Sequence, residues 1–362
     1  MKPKLCATVS VVKINDSILE FFKSNTRQQV RIKVSNDEIL KIVSGFDGSK
    51  TIKEIAKANT VSCEELKTLI EFLKTKGILD NVTPNGDFYK YDKFRRTINF
   101  LSDFAVSHEN LLDIWNNIQK SCVMVIGLGA VGSWVAANLV ESGIEKLILM
   151  DADEIEISNI HRQFGYKEND VGKKKVDVLA GRLKDYNEDI EILKSYKFLD
   201  SEILEEFNDQ EINLIINCAD KPNVDTTSLW IGEYSMKRGI PHIVGGGYNL
   251  HLSLIGQTVL PGKSACVKCF QKHLEEINTI DTNRVKKLVV KNRKMGSFGP
   301  MCSIIASMIG MEAIKILTKS IMPANINRRG EFDIYDMNIK YKQFERRDDC
   351  EWCGEKGLYY HQ

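Results

Sequence analysis

Three glycines in the segment GLGAVG have a spacing that could support chemistry. Gly127, Gly129 and Gly132 come directly after an apolar, strand-like run and before a helical pattern. Glycines let the backbone approach phosphate groups, and the start of a helix favours their negative charge. Asp151 ends the next predicted strand, where an acidic side chain can bind ribose hydroxyls. The pattern predicts a Rossmann-like nucleotide site, but it would suit a nicotinamide or flavin enzyme equally well.

The polar residues after Asp151 favour a triphosphate over a dinucleotide. Within the segment DADEIEISNIHRQFGYKENDVGKKKVDVL lie Asn159, Arg162, Gln163 and Lys175. Arginine can bind phosphate through two parallel hydrogen bonds, and lysine binds it as a point charge. Asp220 follows the apolar run INLIINCA, and a carboxylate at a strand end near phosphates suits Mg²⁺. We interpret His161 as a packing residue, and His242 as a side chain whose polar atoms are satisfied inside a strand end rather than as a catalytic group.

Two CxxC pairs carry a separate signal. Their members are Cys266, Cys269, Cys350 and Cys353. Four thiolates complete a tetrahedral zinc site and leave no open position, so we predict a structural Zn²⁺. The other five cysteines are scattered among apolar neighbours, which is typical of reduced, buried thiols.

The elements that must position these residues alternate between strand and helix from Ser121 onward. Predicted strands cover Cys122–Ile126, Leu147–Met150, Ile190–Leu193, Leu214–Asn217 and His242–Val244. Such alternation predicts an α/β fold with a mainly parallel sheet. The apolar stretch from Pro300 to Leu317 contains Glu312 and Lys315, so it predicts a buried helix rather than a membrane span.

The first 85 residues predict a separate α+β unit. Strand-like alternation covers Leu5–Ile14 and Gln29–Val34, and three helical patterns follow. Capping-box spacing marks the second and third helices, at Thr51 and Ser62. Two strands and three short helices are the size of a winged-helix domain. DNA binding is disfavoured because the helices carry too many acidic residues.

The segment FDGSKTIKEIAKANTVSCEELKTLIEFLKTKGIL, residues 46–79, resembles PqqD-type peptide-recognition domains. The resemblance implies that a leader peptide docks as an extra strand beside the sheet, with backbone hydrogen bonds supplying affinity. A packing domain without a ligand is the alternative.

Net charge and the N-terminal sequence restrict the partners. Lysine and arginine total 50 against 49 acidic residues, a net charge of +1. Such a balance predicts no nucleic-acid partner and no anionic membrane surface. The N-terminus has no apolar run of signal-peptide length, so we predict a cytoplasmic protein.

The ordered motifs GLGAVG, Asp151, SNIHRQ, DVGKKK, CADKP and the two CxxC pairs resemble the ThiF, MoeB and ubiquitin-activating family across residues 92–354. The resemblance implies a homodimer that adenylates a carboxylate with ATP and Mg²⁺. It implies that Asp151 holds ribose, that Asn159, Arg162 and Lys175 bind the phosphates with support from Gln163, and that Asp220 ligates Mg²⁺. In the segment KFRRTI it places Arg96 where the family has an arginine that reaches the partner's site.

One departure from the family concerns the crossover loop, Asn278–Met295, which is basic and has no cysteine. Together with the N-terminal unit, this resembles the peptide-modifying branch, which includes the enzymes of microcin C and pantocin A biosynthesis. We predict activation of glutamate side chains in a precursor peptide, followed by intramolecular condensation of the pantocin type. Adenylation of a peptide's C-terminal residue, activation of a ubiquitin-like sulfur carrier, and a non-catalytic peptide-binding module are the alternatives.

These patterns predict three regions along the chain. Residues 1–85 form the peptide-recognition domain, residues 86–120 a linker with the first helices of the adenylation domain, and residues 121–362 the Rossmann-like adenylation domain with its four-cysteine zinc site.

Overall fold

The computed structural model of the protein describes residues 2–34, 38–79, 92–245, 252–278 and 296–360. The chain divides into two compact units, Met1–Leu112 and Asp113–Gln362. The predicted boundary at residue 85 and nearly all of the predicted crossover loop lie outside the described residues.

The first unit is built on an antiparallel sheet of three strands rather than the two predicted. They pair in the order β1 (Val9–Asn15), β2 (Ile18–Lys23) and β3 (Gln28–Lys33). The missed strand, β2, lies in the centre of this sheet. Its sequence ILEFFK does not alternate, because Leu19, Glu20 and Phe21 are all buried.

Three helices pack their apolar residues against this sheet: α1 (Ile39–Ser44), α2 (Ile52–Asn59) and α3 (Cys63–Thr75). A further helix, α4 (Arg95–Ser102), follows them in the chain. The capping box predicted at Thr51 is confirmed, because Thr51 and Glu54 exchange hydrogen bonds. At Ser62 the predicted box is wrong, because the Ser62 hydroxyl accepts a hydrogen bond from the backbone of Glu64 instead.

The second unit contains the predicted α/β sheet with its five parallel strands, extended by three antiparallel strands, β9 to β11, that the sequence did not predict. Its strand order is β11-β10-β9-β8-β7-β4-β5-β6. Strands β8, β7, β4, β5 and β6 are parallel to one another, and the pairs β8–β9, β9–β10 and β10–β11 are antiparallel. The strands are β4 (Cys122–Ile126), β5 (Lys146–Met150), β6 (Glu191–Ser195), β7 (Ile212–Asn217), β8 (His242–Val244), β9 (Leu252–Val259), β10 (Arg328–Asp333) and β11 (Asn338–Gln343). Strand β4 is buried along its whole length, which is expected of a central parallel strand.

Within the described ranges six α-helices accompany this sheet, and the first of them, α5, crosses the boundary between the units. They are α5 (His108–Gln119), α6 (Gly132–Glu141), α7 (Lys175–Tyr186), α8 (Val224–Arg238), α9 (Val267–Asn278) and α10 (Gly299–Thr318). Helix α10 is the one described helix long and apolar enough to cross a membrane by length and composition. It packs against α6 and β9, so the prediction of a buried helix is confirmed.

Candidate nucleotide site and cysteine cluster

A cavity of about 680 Å³ lies at the ends of β4, β5 and β7 and beside the segment that follows β6. Seven residues predicted for the site line this cavity. They are Gly127, Gly129, Asp151, Asn159, Arg162, Gln163 and Lys175. Asp220 lines the same cavity. Ligands bind at this edge in open α/β sheets, because parallel strands bring their carboxyl ends together there.

The glycine loop brings backbone close to backbone. Gly127 has φ +85°, and a Cβ there would lie 2.6 Å from the carbonyl oxygen of Cys218. A Cβ at Gly132 would lie 1.9 Å from the oxygen of Gly127, so no side chain fits either position. A Cβ at Gly129 would meet only Gln163, at 3.9 Å. The backbone at Gly129 is therefore open to a ligand at the start of α6.

Asp151 is fixed by backbone donors on either side. Its Oδ2 accepts a hydrogen bond from Leu128 N at 2.7 Å, and its Oδ1 accepts one from Asp153 N at 2.8 Å. Tyr166 donates to the carbonyl of Leu128 at 3.0 Å, and burial raises the pKa of this tyrosine well above its ordinary value. The loop and the carboxylate are thus held together before any ligand binds.

Arg162 and Gln163 leave polar atoms without partners beside the cavity. Arg162 Nε and Gln163 Oε1 are buried and have no hydrogen-bond partner among the described residues. A buried polar group without a partner costs roughly 1–3 kcal/mol, so such groups usually meet a ligand or water. The Arg162 donor beside an open glycine backbone fits a phosphate oxygen, and the Gln163 acceptor fits a donor group such as a ribose hydroxyl.

Asn159 is buried in the turn before Arg162. Its Oδ1 accepts a hydrogen bond from Glu156 N at 3.0 Å, which closes a short helical turn over residues 157–159. The interpretation of His161 as a packing residue is wrong, because this side chain is exposed. Its Nε2 lies 2.8 Å from Nη1 of Arg162. Since a guanidinium only donates, this nitrogen is the acceptor.

Lys175 begins α7 and is held inside the cavity by carboxylates. Its Nζ lies 3.2 Å from Asp153 Oδ2 and 4.0 Å from Asp151 Oδ2, and its side chain is 8% exposed. Asp153 also accepts a hydrogen bond from Lys221 at 2.8 Å. The hydrogen bond to Asp153 raises the pKa of Lys221 above its ordinary value. Asp153 and Lys221 are not among the predicted site residues, although Asp153 lies two residues after Asp151 and Lys221 directly follows Asp220.

Asp220 is an exposed carboxylate on the cavity wall, three residues after the end of β7. Magnesium in nucleotide sites is commonly held by one or two carboxylates together with phosphate oxygens and water. A single aspartate on the wall of this cavity fits that pattern.

Two predicted residues lie away from this lining. Gly132 supports the loop from the start of α6, and Arg96 is exposed on α4 in the first unit. Two cysteines near the site are poor nucleophiles. Burial raises the pKa of Cys218 to about 12 and also raises the pKa of Cys302.

The two CxxC pairs come together in the second unit. The four sulfur atoms lie within 4.8 Å of one another. Zn–S bonds of about 2.3 Å in a tetrahedron would place sulfur atoms about 3.8 Å apart. Cys266 and Cys350 are 3.5 Å apart, Cys269 and Cys353 are 3.3 Å apart, and all four residues are buried. This donor set fits a closed, structural zinc site.

Comparisons with known proteins agree with this architecture. The sequence model of the ThiF family matches residues 95–352. The tRNA threonylcarbamoyladenosine dehydratase of Bacillus subtilis is 30% identical over 146 residues, which cover 40% of this chain and 55% of that protein. Molybdopterin-synthase adenylyltransferase of Escherichia coli is 27% identical over 241 residues, covering 66% of this chain and 89% of that protein.

A further relative, ubiquitin-like modifier-activating enzyme 5 of Dictyostelium discoideum, is 26% identical over 230 residues. The chain spans 57% of the length of this enzyme and 55% of the length of the dehydratase, which is little more than half of each protein.

Solved structures show the same fold over nearly the whole chain. E. coli MccB, determined with AMPCPP and MccA, has a TM-score of 0.75 at 21% identity and covers 98% of this chain and 100% of that one. PaaA has a TM-score of 0.71 at 21% identity, covering 94% of this chain and 99% of that one.

Proposed function

This chain belongs to the ThiF family, and we propose that it uses ATP to convert a carboxylate into an acyl-adenylate. The observation that carries the proposal is the cavity itself. It combines an open glycine backbone, a fixed aspartate, a buried lysine and two unpartnered polar atoms from Arg162 and Gln163. A hydride-transfer enzyme has no need for this concentration of phosphate-binding groups.

In the proposed reaction the substrate carboxylate attacks the α-phosphorus of ATP, and the bond to the bridging oxygen breaks. Pyrophosphate leaves, and a mixed anhydride with AMP remains. No general base is required, because the attacking carboxylate is already ionised at neutral pH. Asp151 would bind ribose, while Arg162 and Lys175 would oppose the charge that develops on the phosphates. Asp220 would hold Mg²⁺, which would neutralise phosphate charge.

We propose a ribosomally made precursor peptide as the substrate, with residues 1–85 as its recognition domain. MccB was determined with MccA and is called a microcin C7 biosynthetic enzyme, which supports a peptide. Among the described strands β3 pairs with β2 alone, so Gln28–Lys33 offers a free edge. A leader segment could pair with this edge, while the neighbouring half-buried side chains of β3 would set specificity.

The fate of the adenylate is proposed to be ring closure within the peptide at a glutamate side chain. A nucleophile of the same peptide would displace AMP, so the peptide would lose one water overall. The high thiol pKa of Cys218 and the burial of Cys302 argue against transfer to a cysteine of the chain. A second candidate, implied by the resemblance to the microcin C branch, is an adenylate retained at the peptide's terminal residue.

The test is pyrophosphate release with ATP, Mg²⁺ and candidate precursor peptides encoded near this gene, with mass spectrometry of the products. Peptide-dependent release with loss of water supports ring closure, whereas gain of an adenylate mass supports the second candidate. Release that needs a ubiquitin-like carrier instead of a peptide would overturn the peptide proposal. A chain that releases no pyrophosphate with any carboxylate partner would refute adenylation and favour the binding module.

A further inference from the structure

The side chain of Lys221 crosses the mouth of the cavity. Its ammonium lies 2.8 Å from Asp153, which follows β5, and 5.0 Å from the ring centre of Phe198, which follows β6. Lys221 itself follows β7, and all three residues line the cavity.

The strand order makes this contact unusual. Strands β4 and β5 lie between β7 and β6, so the two strand ends are three neighbour spacings, or about 14 Å, apart. The two side chains and the 5.0 Å between them therefore span the ends of the strands that lie between β7 and β6. Lys221 meets Phe198 over the ends of β4 and β5, where the glycine loop and Asp151 lie.

Asp153 is shared between two ammonium groups, Lys175 at 3.2 Å and Lys221 at 2.8 Å. Lys175 has a second carboxylate, Asp151, at 4.0 Å. The two lysines differ in exposure, since the side chain of Lys175 is 8% exposed and that of Lys221 is 60% exposed. Lys175 is thus the inner cation of the cavity and Lys221 the cation at its rim, one residue from the proposed magnesium ligand Asp220.

We propose that Lys221 is a further nucleotide-binding residue, whose ammonium moves from Asp153 to the β- and γ-phosphates of ATP. This inference rests on the proposed adenylating function. A rim cation with a flexible four-carbon stem meets the end of the triphosphate that points to solvent and leaves as pyrophosphate. Asp153 keeps the ammonium at the mouth until the phosphates, which carry more negative charge, replace it.

The test compares nucleotides that differ only in those phosphates. Dissociation constants for ATP and AMP are measured by calorimetry, with Mg²⁺, for the wild-type chain and for Lys221→Met, Lys221→Arg and Lys237→Met. Lys237 is the matched control, because it is 61% exposed and pairs with Glu205 away from the cavity. Loss of a charge-assisted hydrogen bond is expected to weaken ATP binding about tenfold or more in Lys221→Met. AMP binding is expected to stay within about twofold, since AMP lacks the groups that Lys221 contacts.

Lys221→Arg is expected to keep most of the ATP affinity, and Lys237→Met all of it. Equal weakening of ATP and AMP by Lys221→Met would assign the residue to the base, the ribose or general structure and overturn the inference. Unchanged ATP binding in that variant would overturn it as well. If the wild-type chain binds no ATP, the proposed function fails and this inference fails with it. If the wild-type chain binds ATP normally and Lys221→Met does not behave as expected, only the inference about Lys221 fails.

Discussion

His242 shows how a single buried residue ties stability to pH. It lies on β8, is 1% exposed, and does not line the cavity. Burial lowers the pKa of its imidazole from 6.5 to about 4, because the charged form loses its hydration. The folded chain therefore keeps His242 neutral at a pH at which the unfolded chain protonates it.

We predict that the wild-type chain loses stability through His242 as the pH falls from 6.5 toward 4. In this window the unfolded state binds more protons than the folded state, so the free energy of unfolding decreases with falling pH. A pKa difference from 6.5 to about 4 corresponds to about 3 kcal/mol. Urea unfolding, followed by fluorescence of the four tryptophans, all in the second unit, measures this.

The matched variant for this measurement is His242→Gln, which removes the titrating group but keeps a polar side chain of similar size. The free energy of unfolding of the wild type minus that of the variant should be most positive at pH 7. At pH 4 this difference should shrink toward zero or change sign. Parallel pH profiles for the two proteins would show that His242 titrates normally in the folded state.

At the same scale, the sequence predicted the shared cavity of Asp151, Arg162, Lys175 and Asp220 because each follows or begins an element at one edge of the sheet. It did not predict Asp153 and Lys221. A lysine after an aspartate is usually a solvated charge. The contact of Lys221 with Phe198 joins side chains that follow β7 and β6, two strands that are not neighbours in the sheet. Local spacing carries no information about such a contact.

Glycines in two helices of the second unit have opposite consequences for stability. At Gly132, on α6, a Cβ would lie 1.9 Å from the backbone oxygen of Gly127. At Gly181, within α7, a Cβ would meet nothing within 4 Å. Gly132 must be glycine because the backbone of the nucleotide loop lies too close for a side chain. The surroundings of Gly181 leave room for one.

We predict that Gly181→Ala raises the free energy of unfolding by about 0.5–1 kcal/mol, because alanine restricts the unfolded chain and favours helix. Gly132→Ala is predicted to lower it by more than about 2 kcal/mol and to abolish ATP binding, since the loop must move. Denaturant unfolding and ATP calorimetry on both variants check this. Similar effects of the two substitutions would mean that the loop accommodates a methyl group.

The cysteine cluster joins elements that are far apart in sequence. Cys266 and Cys269 lie at the start of α9, and Cys350 and Cys353 lie in the C-terminal tail. Ion pairs flank the cluster, including Arg347 with Glu276 at 2.8 Å. Exposed pairs contribute little on their own, so we assign most of the attachment of the tail to a metal held by the thiolates.

We predict one zinc ion per chain, lost in Cys350→Ser together with several degrees of thermal stability. Zinc content by elemental analysis and thermal unfolding measure both effects. Cys63→Ser is the control, because Cys63 is an exposed cysteine in the first unit outside the cluster. A purified chain that is fully stable without zinc would contradict the structural role.

At the scale of the whole molecule, the sequence predicted the α/β sheet because its strands and helices alternate regularly. It missed β2, whose buried residues on both faces hide the alternation on which strand prediction depends. The identity of a peptide or a partner subunit depends on surfaces that residue periodicity does not describe. The homodimer and the reach of Arg96 into a partner site therefore remain predictions from family resemblance.

One surface feature of the first unit supports a partner at α4. Arg96 is exposed on this helix, and Phe100, four residues later on the same face, is 61% exposed. Phe100 stacks edge-to-face on Phe104, which is 44% exposed, with ring centres 5.5 Å apart. Exposed aromatic side chains beside an arginine are typical of protein interfaces.

If Arg96 completes the site of a partner subunit, two inactive variants should restore each other. Arg96→Ala and Lys175→Met are each predicted to lose most peptide-dependent pyrophosphate release. In a mixed dimer one site receives Lys175 from one chain and Arg96 from the other, so random exchange of subunits should recover about a quarter of wild-type activity. The readout is pyrophosphate release after co-refolding or co-expression of the two variants.

The control for this experiment mixes Arg96→Ala with the double variant Arg96→Ala, Lys175→Met, in which no pairing supplies both groups to one site. Recovery in the first mixture and none in the second is the result expected of a shared site. If neither mixture recovers activity while both variants form dimers, Arg96 acts within its own chain. In that case the exposed aromatic face of α4 would have to serve another partner, and the peptide would be the first to test.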